Sequence, residues 1–214
     1  MISDTVYTKD LIERHNIQNL EAFSAINNFL QSNIGSLVST RKIVNTLKTE
    51  GHRNVSVDTA GNYLSYLVDA FLFDRVQRFD VKSKAYLRTL QKYYCIDLGI
   101  RNSMLGFRQL EPTHALENWI YFELLRRGFQ VDIGINANKE IDFVARKDEK
   151  LLYIQVAYSV IDPEKRETEL ASFKNLDDGF RKILITMDDD PFDNLRDGYQ
   201  KIYALDFLLD PQSV

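Results

Sequence analysis

Residues 139–158, KEIDFVARKDEKLLYIQVAY, constrain the fold of this chain more than any other stretch. Two runs of strand length flank a short charged turn, which predicts an antiparallel β-hairpin. Successive residues of a strand face opposite sides, so Glu140 and Asp142 are predicted to share one face, and Ile141 and Phe143 the other. An unpaired buried carboxylate costs several kcal/mol. The acid pair therefore needs polar partners or a bound ion.

A helix is predicted directly before the hairpin. Its apolar residues recur at helical spacing, Glu117 borders them, and Gly128 lies where a C-terminal cap is expected. The predicted buried stripe consists of Leu116, Trp119, Ile120 and Leu124. After the hairpin, a helix at 164–173, a strand at 182–187 and a terminal strand and turn at 201–209 complete an α/β sandwich around a mixed sheet.

These elements resemble the PD-(D/E)XK nucleases. Glu117 matches the acid of that family's first helix, Asp142 the acid of its central hairpin, and residues 155–157 its (D/E)-X-K triplet. The resemblance implies a restriction-endonuclease-like α/β domain with catalytic residues Glu117, Asp142 and Gln155, of which Glu117 and Asp142 would hold Mg²⁺. The triplet departs from the pattern, because Gln155 replaces an acid and Ala157 replaces the lysine. We therefore expect a vestigial site.

Two interpretations of these residues stay open. In the first, the side chains hydrogen-bond to one another or to the backbone and hold the helix to the sheet, so that the domain is not an enzyme. In the second, the domain is a Mg²⁺- or Mn²⁺-dependent nuclease in which Glu140 is a further ligand and a displaced lysine, Lys139 or Lys150, assists the attacking water.

A second resemblance covers nearly the whole chain. Several motifs in order are similar to the C-terminal domain, domain of unknown function 4143, that follows an AAA-type ATPase module in many bacterial and archaeal ATP-binding proteins. The motifs are residues 33–36, 69–72, 92–99, 116–118, 123–128 and 140–144. The resemblance implies an ATPase module, N-terminal to this segment, as the partner of the chain.

The chain has no G-x-x-x-x-G-K-[ST] phosphate loop, so ATP is expected to bind only through that absent module. We expect the chain to be a fragment or a product without its motor half.

The first half of the chain is predicted to be helical and then a winged helix. We divide it into an N-terminal helical segment, 1–35, and a winged helix-turn-helix domain, 36–105, with the nuclease-like domain at 116–214. Ser39 or Thr40 can cap the second helix and Ser56 the third. The predicted core face of the third helix is Ala60, Tyr63, Leu64, Leu67, Val68 and Phe71. The strands of the wing are predicted at 72–79 and 93–97.

The wing contains the candidate nucleic-acid contacts. Lys82, Lys84, Arg88 and Lys92 could contact phosphates without sequence specificity. The outward face of the third helix has no Arg or Lys, which disfavours reading of the major groove. The alternative is that the tract is a solvated loop or packs against the ATPase module.

Charge and hydropathy bound the remaining possibilities. Residues 1–110 contain 14 Lys and Arg against 10 Asp and Glu, a net charge of +4, whereas residues 111–214 contain 13 against 21, a net charge of −8. This asymmetry favours the N-terminal half for any nucleic-acid contact. No apolar run approaches the roughly 20 residues of a membrane span, and no signal pattern begins the chain. We expect a cytoplasmic protein without a membrane partner.

Overall fold

A computed structural model describes residues 11–52, 54–107, 111–189 and 198–214 of the 214-residue chain. It has a mixed α/β fold. The elements, in chain order, are α1 (Leu20–Ser32), α2 (Thr40–Thr49), α3 (Val57–Asp69), β1 (Phe73–Asp80), β2 (Ala85–Cys95), α4 (Leu98–Met104), α5 (Pro112–Arg126), β3 (Gln130–Asn136), β4 (Lys139–Lys147), β5 (Lys150–Ala157), α6 (Pro163–Leu170), a 3-10 turn (Ala171–Phe173), β6 (Arg181–Thr186), β7 (Gln200–Tyr203) and α7 (Ala204–Leu209).

The chain forms two compact units. Unit 1 comprises Met1–Arg75 and Thr89–Leu110, and unit 2 comprises Val76–Arg88 and Glu111–Val214. One seven-stranded sheet has the order β2-β1-β3-β4-β5-β6-β7. Among the residues that the structure describes, no helix is both long enough and apolar enough to cross a bilayer.

The helices of unit 1 begin where the sequence predicts. The Ser39 hydroxyl accepts a hydrogen bond from the Lys42 amide at 3.1 Å, and the Ser56 hydroxyl accepts one from the Thr59 amide at 3.0 Å. Each bond satisfies an amide that has no partner within its own helix. Ser39 rather than Thr40 therefore caps α2. The first ten residues of the predicted N-terminal helical segment, 1–35, lie outside the described residues.

Phe71 is not a core residue, which corrects the prediction for the third helix. The helix ends at Asp69, and Phe71 has a positive φ of 55° and is 77% exposed. The Phe71 amide donates to the Val68 carbonyl and the Leu72 amide to the Leu67 carbonyl, which is the bonding of a helix that terminates in a left-handed residue. The helical periodicity does not extend to Phe71, because the helix ends two residues earlier.

The predicted wing is part of the large sheet. β1 pairs in parallel with β3, with Arg78 opposite Ile133, and β2 begins at Ala85 rather than near Tyr93. The basic tract is therefore a tight turn and a strand, not a free loop. The segment Val76–Arg88, which contains most of this tract, belongs to unit 2. The winged-helix domain of 36–105 stays a prediction.

The sheet of unit 2 is mixed, as predicted. β3, β4 and β5 are antiparallel neighbours, and β5, β6 and β7 are parallel. The Phe143 ring lies 6.0 Å from the ring of Tyr121 on α5. Ile141 and Val144 instead belong to an apolar cluster with Phe173 of the 3-10 turn. Ile141 and Phe143 therefore do not share a face, which corrects the prediction from strand alternation.

A β-bulge in β4 explains that correction. Val144 pairs with Asp132 and Ile141 pairs with Gly134, so that two residues of β4 oppose one residue of β3. The extra residue breaks the period of two on which the predicted faces of Glu140 and Asp142 depended. A Cβ on Gly134 would lie 2.7 Å from Val144 Cγ2 and 2.9 Å from Ile141 Cβ. The bulge therefore requires glycine on the facing strand.

The predicted buried stripe of α5 is wrong at one position. Leu116, Ile120 and Leu124 are buried, but Trp119 is 56% exposed. Gly128 follows the end of the helix with a φ of +83°, in agreement with its predicted role as a terminator.

Replacing two glycines by alanine should change stability in opposite directions. Gly134→Ala should lower the free energy of unfolding by about 1–3 kcal/mol, because its methyl group collides with two buried side chains. Gly61→Ala should raise it by about 0.5–1 kcal/mol, because Gly61 lies inside α3 and no atom beyond the adjoining helix backbone lies within 4 Å of the position that the new methyl group would take. Calorimetric unfolding of both variants checks the two signs, and equal signs would contradict the bulge as the constraint on residue 134.

Candidate functional site

Asp142 and Gln155 meet where β4 and β5 cease to pair. The paired register runs from Lys147 opposite Lys150 to Phe143 opposite Ile154. At the next position side chains bind the backbone: the Asp142 amide donates to Gln155 Oε1 at 3.3 Å, and the Val156 amide donates to Asp142 Oδ2 at 2.8 Å.

Both side chains are buried. Their hydrogen bonds meet the backbone's requirement for partners at the end of the ladder.

Gln155 also joins the hairpin to α6 and the 3-10 turn. Its Nε2 donates to Glu169 Oε2 at 3.1 Å. Ser172 Oγ lies 3.3 Å from Gln155 Oε1 and 3.1 Å from the Glu169 carbonyl oxygen, so its single hydrogen is shared between them. Asn136 of β3 reinforces this junction, since its Nδ2 donates at 2.9 Å to the carbonyl oxygens of Ser172 and Lys174. Sequence reasoning missed Glu169, Ser172 and Asn136.

Glu117 is buried on α5, which packs against β3, β4 and β5. One of its carboxylate oxygens, Oε2, lies 3.8 Å from Nδ1 of His114, one turn earlier on the same helix. The structure thus brings Asp142 and Gln155 into direct contact and places Glu117 on the helix that covers their strands.

The geometry of Gln155 does not fit a metal ligand. The Asp142 N–H points at its oxygen, which also shares the Ser172 hydroxyl, and its nitrogen is bound to Glu169. A cation at that oxygen would meet the positive ends of these donor groups. Within the described parts of the chain, no group of three or more His, Cys, Asp or Glu side chains could hold a metal ion. Glu117 and Asp142 stay a predicted ligand pair.

The two proposed replacement lysines differ in their distance from the site. Lys150 pairs with Lys147 at the turn, five residues and about 16 Å along the strand from Gln155. Lys150 is therefore too far away to act there, which corrects that prediction. Lys139 is exposed and lies about 10 Å along β4 from Asp142.

At the end of α5 the buried carboxylate of Glu123 forms ion pairs with two arginines, and all three residues lie in the motif 123–128. Arg126 Nε contacts Glu123 Oε2 at 2.7 Å, and Arg127 Nε contacts Glu123 Oε1 at 2.6 Å. The hydrogen bond from Arg126 lowers the pKa of Glu123, burial opposes this effect, and Arg127 lowers the pKa further. The spacings i, i+3 and i, i+4 are a signal from which this pair could have been predicted.

Arg127 also binds the C-terminal segment. Its guanidinium donates to the Ser213 hydroxyl at 3.0 Å, to the carbonyls of Asp210 and Phe207, and lies 4.2 Å from the centre of the Phe207 ring. Lys147 Nζ donates to the Arg127 carbonyl at 2.7 Å and satisfies an acceptor at the helix end. Residues 123–128, one of the motifs of the second resemblance, therefore have a structural role.

The basic candidates separate into two groups. Lys82, Lys84 and Arg88 are exposed, whereas Lys92 is 2% exposed and lies in the interior, so its prediction as a surface contact is wrong. The exposed residues of α3 include no Arg or Lys. They are Val57, Asp58, Asn62 and Asp69.

The chain is similar to proteins whose descriptions state no function. The profile of the family described as Domain of unknown function (DUF8612) matches residues 2–111. An "Uncharacterized protein" of Haemophilus influenzae is 37% identical over 208 residues, 97% of this chain and 51% of the relative. "Uncharacterized protein MJ1544" of Methanocaldococcus jannaschii is 32% identical over 202 residues, 90% of this chain and 44% of the relative. The chain thus spans about half the length of these curated relatives. No solved structure matches it.

Exchange of the amide and the carboxylate across the Gln155–Glu169 contact tests the junction between the hairpin and α6. Gln155→Glu should cost about 1–3 kcal/mol, because a carboxylate then faces the Glu169 carboxylate in place of a donor. Adding Glu169→Gln should recover most of this loss, since the donor and acceptor have exchanged sides. Urea unfolding of the two single variants and the double variant gives the coupling energy. A double variant no more stable than Gln155→Glu would contradict the assigned contact.

Arg127 and Arg126 should differ in their contribution to stability. Arg127→Ala should cost about 3 kcal/mol, because the side chain is 6% exposed and binds both Glu123 and the C-terminal segment. Arg126→Ala should cost much less, since that side chain is 62% exposed.

The pH dependence gives this comparison a second readout. Because the folded-state pKa of Glu123 is lowered, the stabilisation from its charge is present above its unfolded pKa and is lost as pH falls through the folded value. The deficit of Arg127→Ala should therefore narrow in acid. Thermal unfolding across pH measures it, and equal deficits for the two arginine variants would contradict the buried role of Arg127.

Proposed function

This chain belongs to the family described as Domain of unknown function (DUF8612), and we propose that it is the accessory region of an AAA-type ATPase, with a winged helix and a non-catalytic nuclease-like domain. The observation that carries the proposal is the set of contacts at Gln155, where a nuclease would need a free acid. Both ends of its amide are bound within the protein, to Asp142 and Glu169.

The position of the missing lysine supports the same conclusion. Metal-assisted hydrolysis of a phosphodiester needs carboxylate ligands and a polarised water, and a nearby cation stabilises the charge of the transition state. Ala157 has a fully buried methyl group in the apolar cluster that contains Ile141 and Leu184. The chain therefore lacks the amine where the resemblance requires it.

The proposed partner is the ATPase module that the second resemblance implies. The curated relatives contain about as much chain outside the matched segment as within it, which leaves room for such a module. ATP would bind there, in the cytoplasm, and not to the present chain. The lack of exposed cations on α3 favours a winged helix that contacts protein over one that reads the major groove.

A second candidate is a Mg²⁺- or Mn²⁺-dependent DNA or RNA nuclease. The bulge that places Asp142 and the burial of Glu117 on the adjoining helix favour it, because both acids are retained in the positions of the nuclease resemblance. Lys139 is then the displaced lysine, since Lys150 is too distant.

A cleavage assay separates these candidates. The chain is incubated with linear DNA, supercoiled DNA and RNA in Mg²⁺ and in Mn²⁺, alongside Asp142→Asn. The accessory module should release no fragments under any of these conditions, because no water is activated.

Asp142→Asn is the matched variant, because its amide oxygen can still accept from the Val156 N–H. Thermal unfolding of both proteins verifies that they are folded. Metal-dependent cutting by the wild type that disappears in Asp142→Asn would overturn the non-catalytic proposal and establish the nuclease.

A further inference from the structure

The first half of β2 is the exposed border of the sheet. β2 stands at one end of the strand order, and Ala85, Tyr86 and Arg88 are all exposed although they alternate between the two faces of the strand. Both faces of this half-strand carry exposed residues, in contrast to residues 92–95, which are buried.

The exposed residues form a basic and aromatic row. Tyr86 and Arg88 are two residues apart in β2, so they lie on one side of the strand about 6.6 Å apart. Lys84 precedes them in the turn, where its φ is +54°. Lys82 extends the positive charge into the turn. The acid of this turn, Asp80, is bound to the Ser83 amide at 2.7 Å.

Tyr86 is held in place by its hydroxyl group. The hydroxyl donates to Asp132 Oδ2 at 3.3 Å, and it accepts from Gln130 Nε2 at 3.3 Å and from Arg146 Nη2 at 3.2 Å. The ring meets Phe79 edge to face at 5.4 Å. Nevertheless Tyr86 is 47% exposed. A fixed, half-open aromatic ring between two cations is suited to stacking on a flat base.

The pairing of the hairpin restricts how it can approach a nucleic acid. A two-stranded ribbon fits a major groove, but this hairpin is joined to a wider sheet. Here Arg78–Asp80 of β1 pair with Ile133–Ile135 of β3. The outer side of β2 is therefore the part of this hairpin open to a ligand, and a single strand of nucleic acid can follow it.

We propose that the row formed by Lys84, Tyr86 and Arg88 binds single-stranded nucleic acid, with its phosphates on the two cations and a base on the Tyr86 ring. The inference extends the proposed accessory function by naming the chemical class of its target. It rests on charge complementarity and on the half-open ring, and it requires no catalysis.

Fluorescence anisotropy with labelled oligonucleotides tests the proposal. The probes are oligo(dT) and oligo(U) of about 15 nucleotides and a duplex of the same length. The whole chain should bind the single strands more tightly than the duplex at about 50 mM salt, and affinity should fall steeply towards about 200 mM. The two single-stranded probes distinguish DNA from RNA as the source of the strand.

Four variants resolve the contributions. Lys84→Gln and Arg88→Gln should each reduce the slope of log affinity against log salt by about 0.7. Tyr86→Ala should weaken binding by about 5- to 100-fold through lost stacking. Tyr86→Phe should lose much less affinity, because it retains the aromatic ring and its contact with Phe79. Thermal unfolding verifies each variant, and Lys84→Gln and Arg88→Gln decide the test if Tyr86→Ala does not fold.

Lys165→Gln is the control, an exposed cation on α6 that should leave affinity unchanged. No binding to either single strand at low salt, preference for the duplex, or equal losses in Lys165→Gln and Lys84→Gln would overturn the proposal. If neither single strand binds, the role left for Lys82 and Lys84 is to protect the edge strand β2 from pairing with a strand of another protein.

The two proposals fail separately. Absence of binding leaves the non-catalytic function intact, whereas cleavage of a bound strand overturns that function and leaves the binding row intact.

Discussion

The β-bulge in β4 is the constraint on which the second unit depends. One extra residue in β4, at the position opposite Ile133, turns Phe143 towards α5 and leaves Ile141 and Val144 in the cluster with Phe173. Without the bulge, strict alternation would place Ile141 and Phe143 on the same layer. The bulge also lies at Asp142, where pairing with β5 ends and side chains replace the ladder. The packing of both layers and the geometry of the candidate site thus have a common origin.

Much of the secondary structure could be predicted because its signals are local. The serine caps at Ser39 and Ser56, the hairpin of β4 and β5, and the glycine after α5 each follow from a few adjacent residues. The parallel pairing of β1 with β3 could not, since it joins segments far apart in the chain. A local sequence pattern predicts a hairpin, but it does not predict which distant strand pairs with the edge of that hairpin. Phe71 and Trp119 show the related limit of helical spacing, which assumes that a helix continues and that every apolar residue is covered.

The candidate site could be predicted in part. The sequence indicated that Asp142 and Gln155 meet, and they do, but Glu169 and Ser172 reach them from α6 and the 3-10 turn by packing that no spacing encodes. Their presence changes the meaning of the amide at 155. A carboxylate there would face the Glu169 carboxylate without a donor, so the amide and the acid form a complementary pair. The amide that departs from the nuclease pattern is thus hydrogen-bonded at both its oxygen and its nitrogen in this fold.

The surroundings of residues 155 and 157 disfavour the two side chains that the nuclease pattern would place there. Ala157 pairs with Thr186 of β6 and packs in the apolar cluster with Ile141. A lysine at this position would bring an ammonium group into an apolar layer, where an unpaired charge is costly. Restoring the acid at 155 would at the same time oppose Glu169. The retained acid Asp142 is explained by the backbone amide it binds, and it does not by itself indicate activity. A resemblance of the sequence to nucleases therefore predicts chemistry only where the side chains around the site are free to perform it.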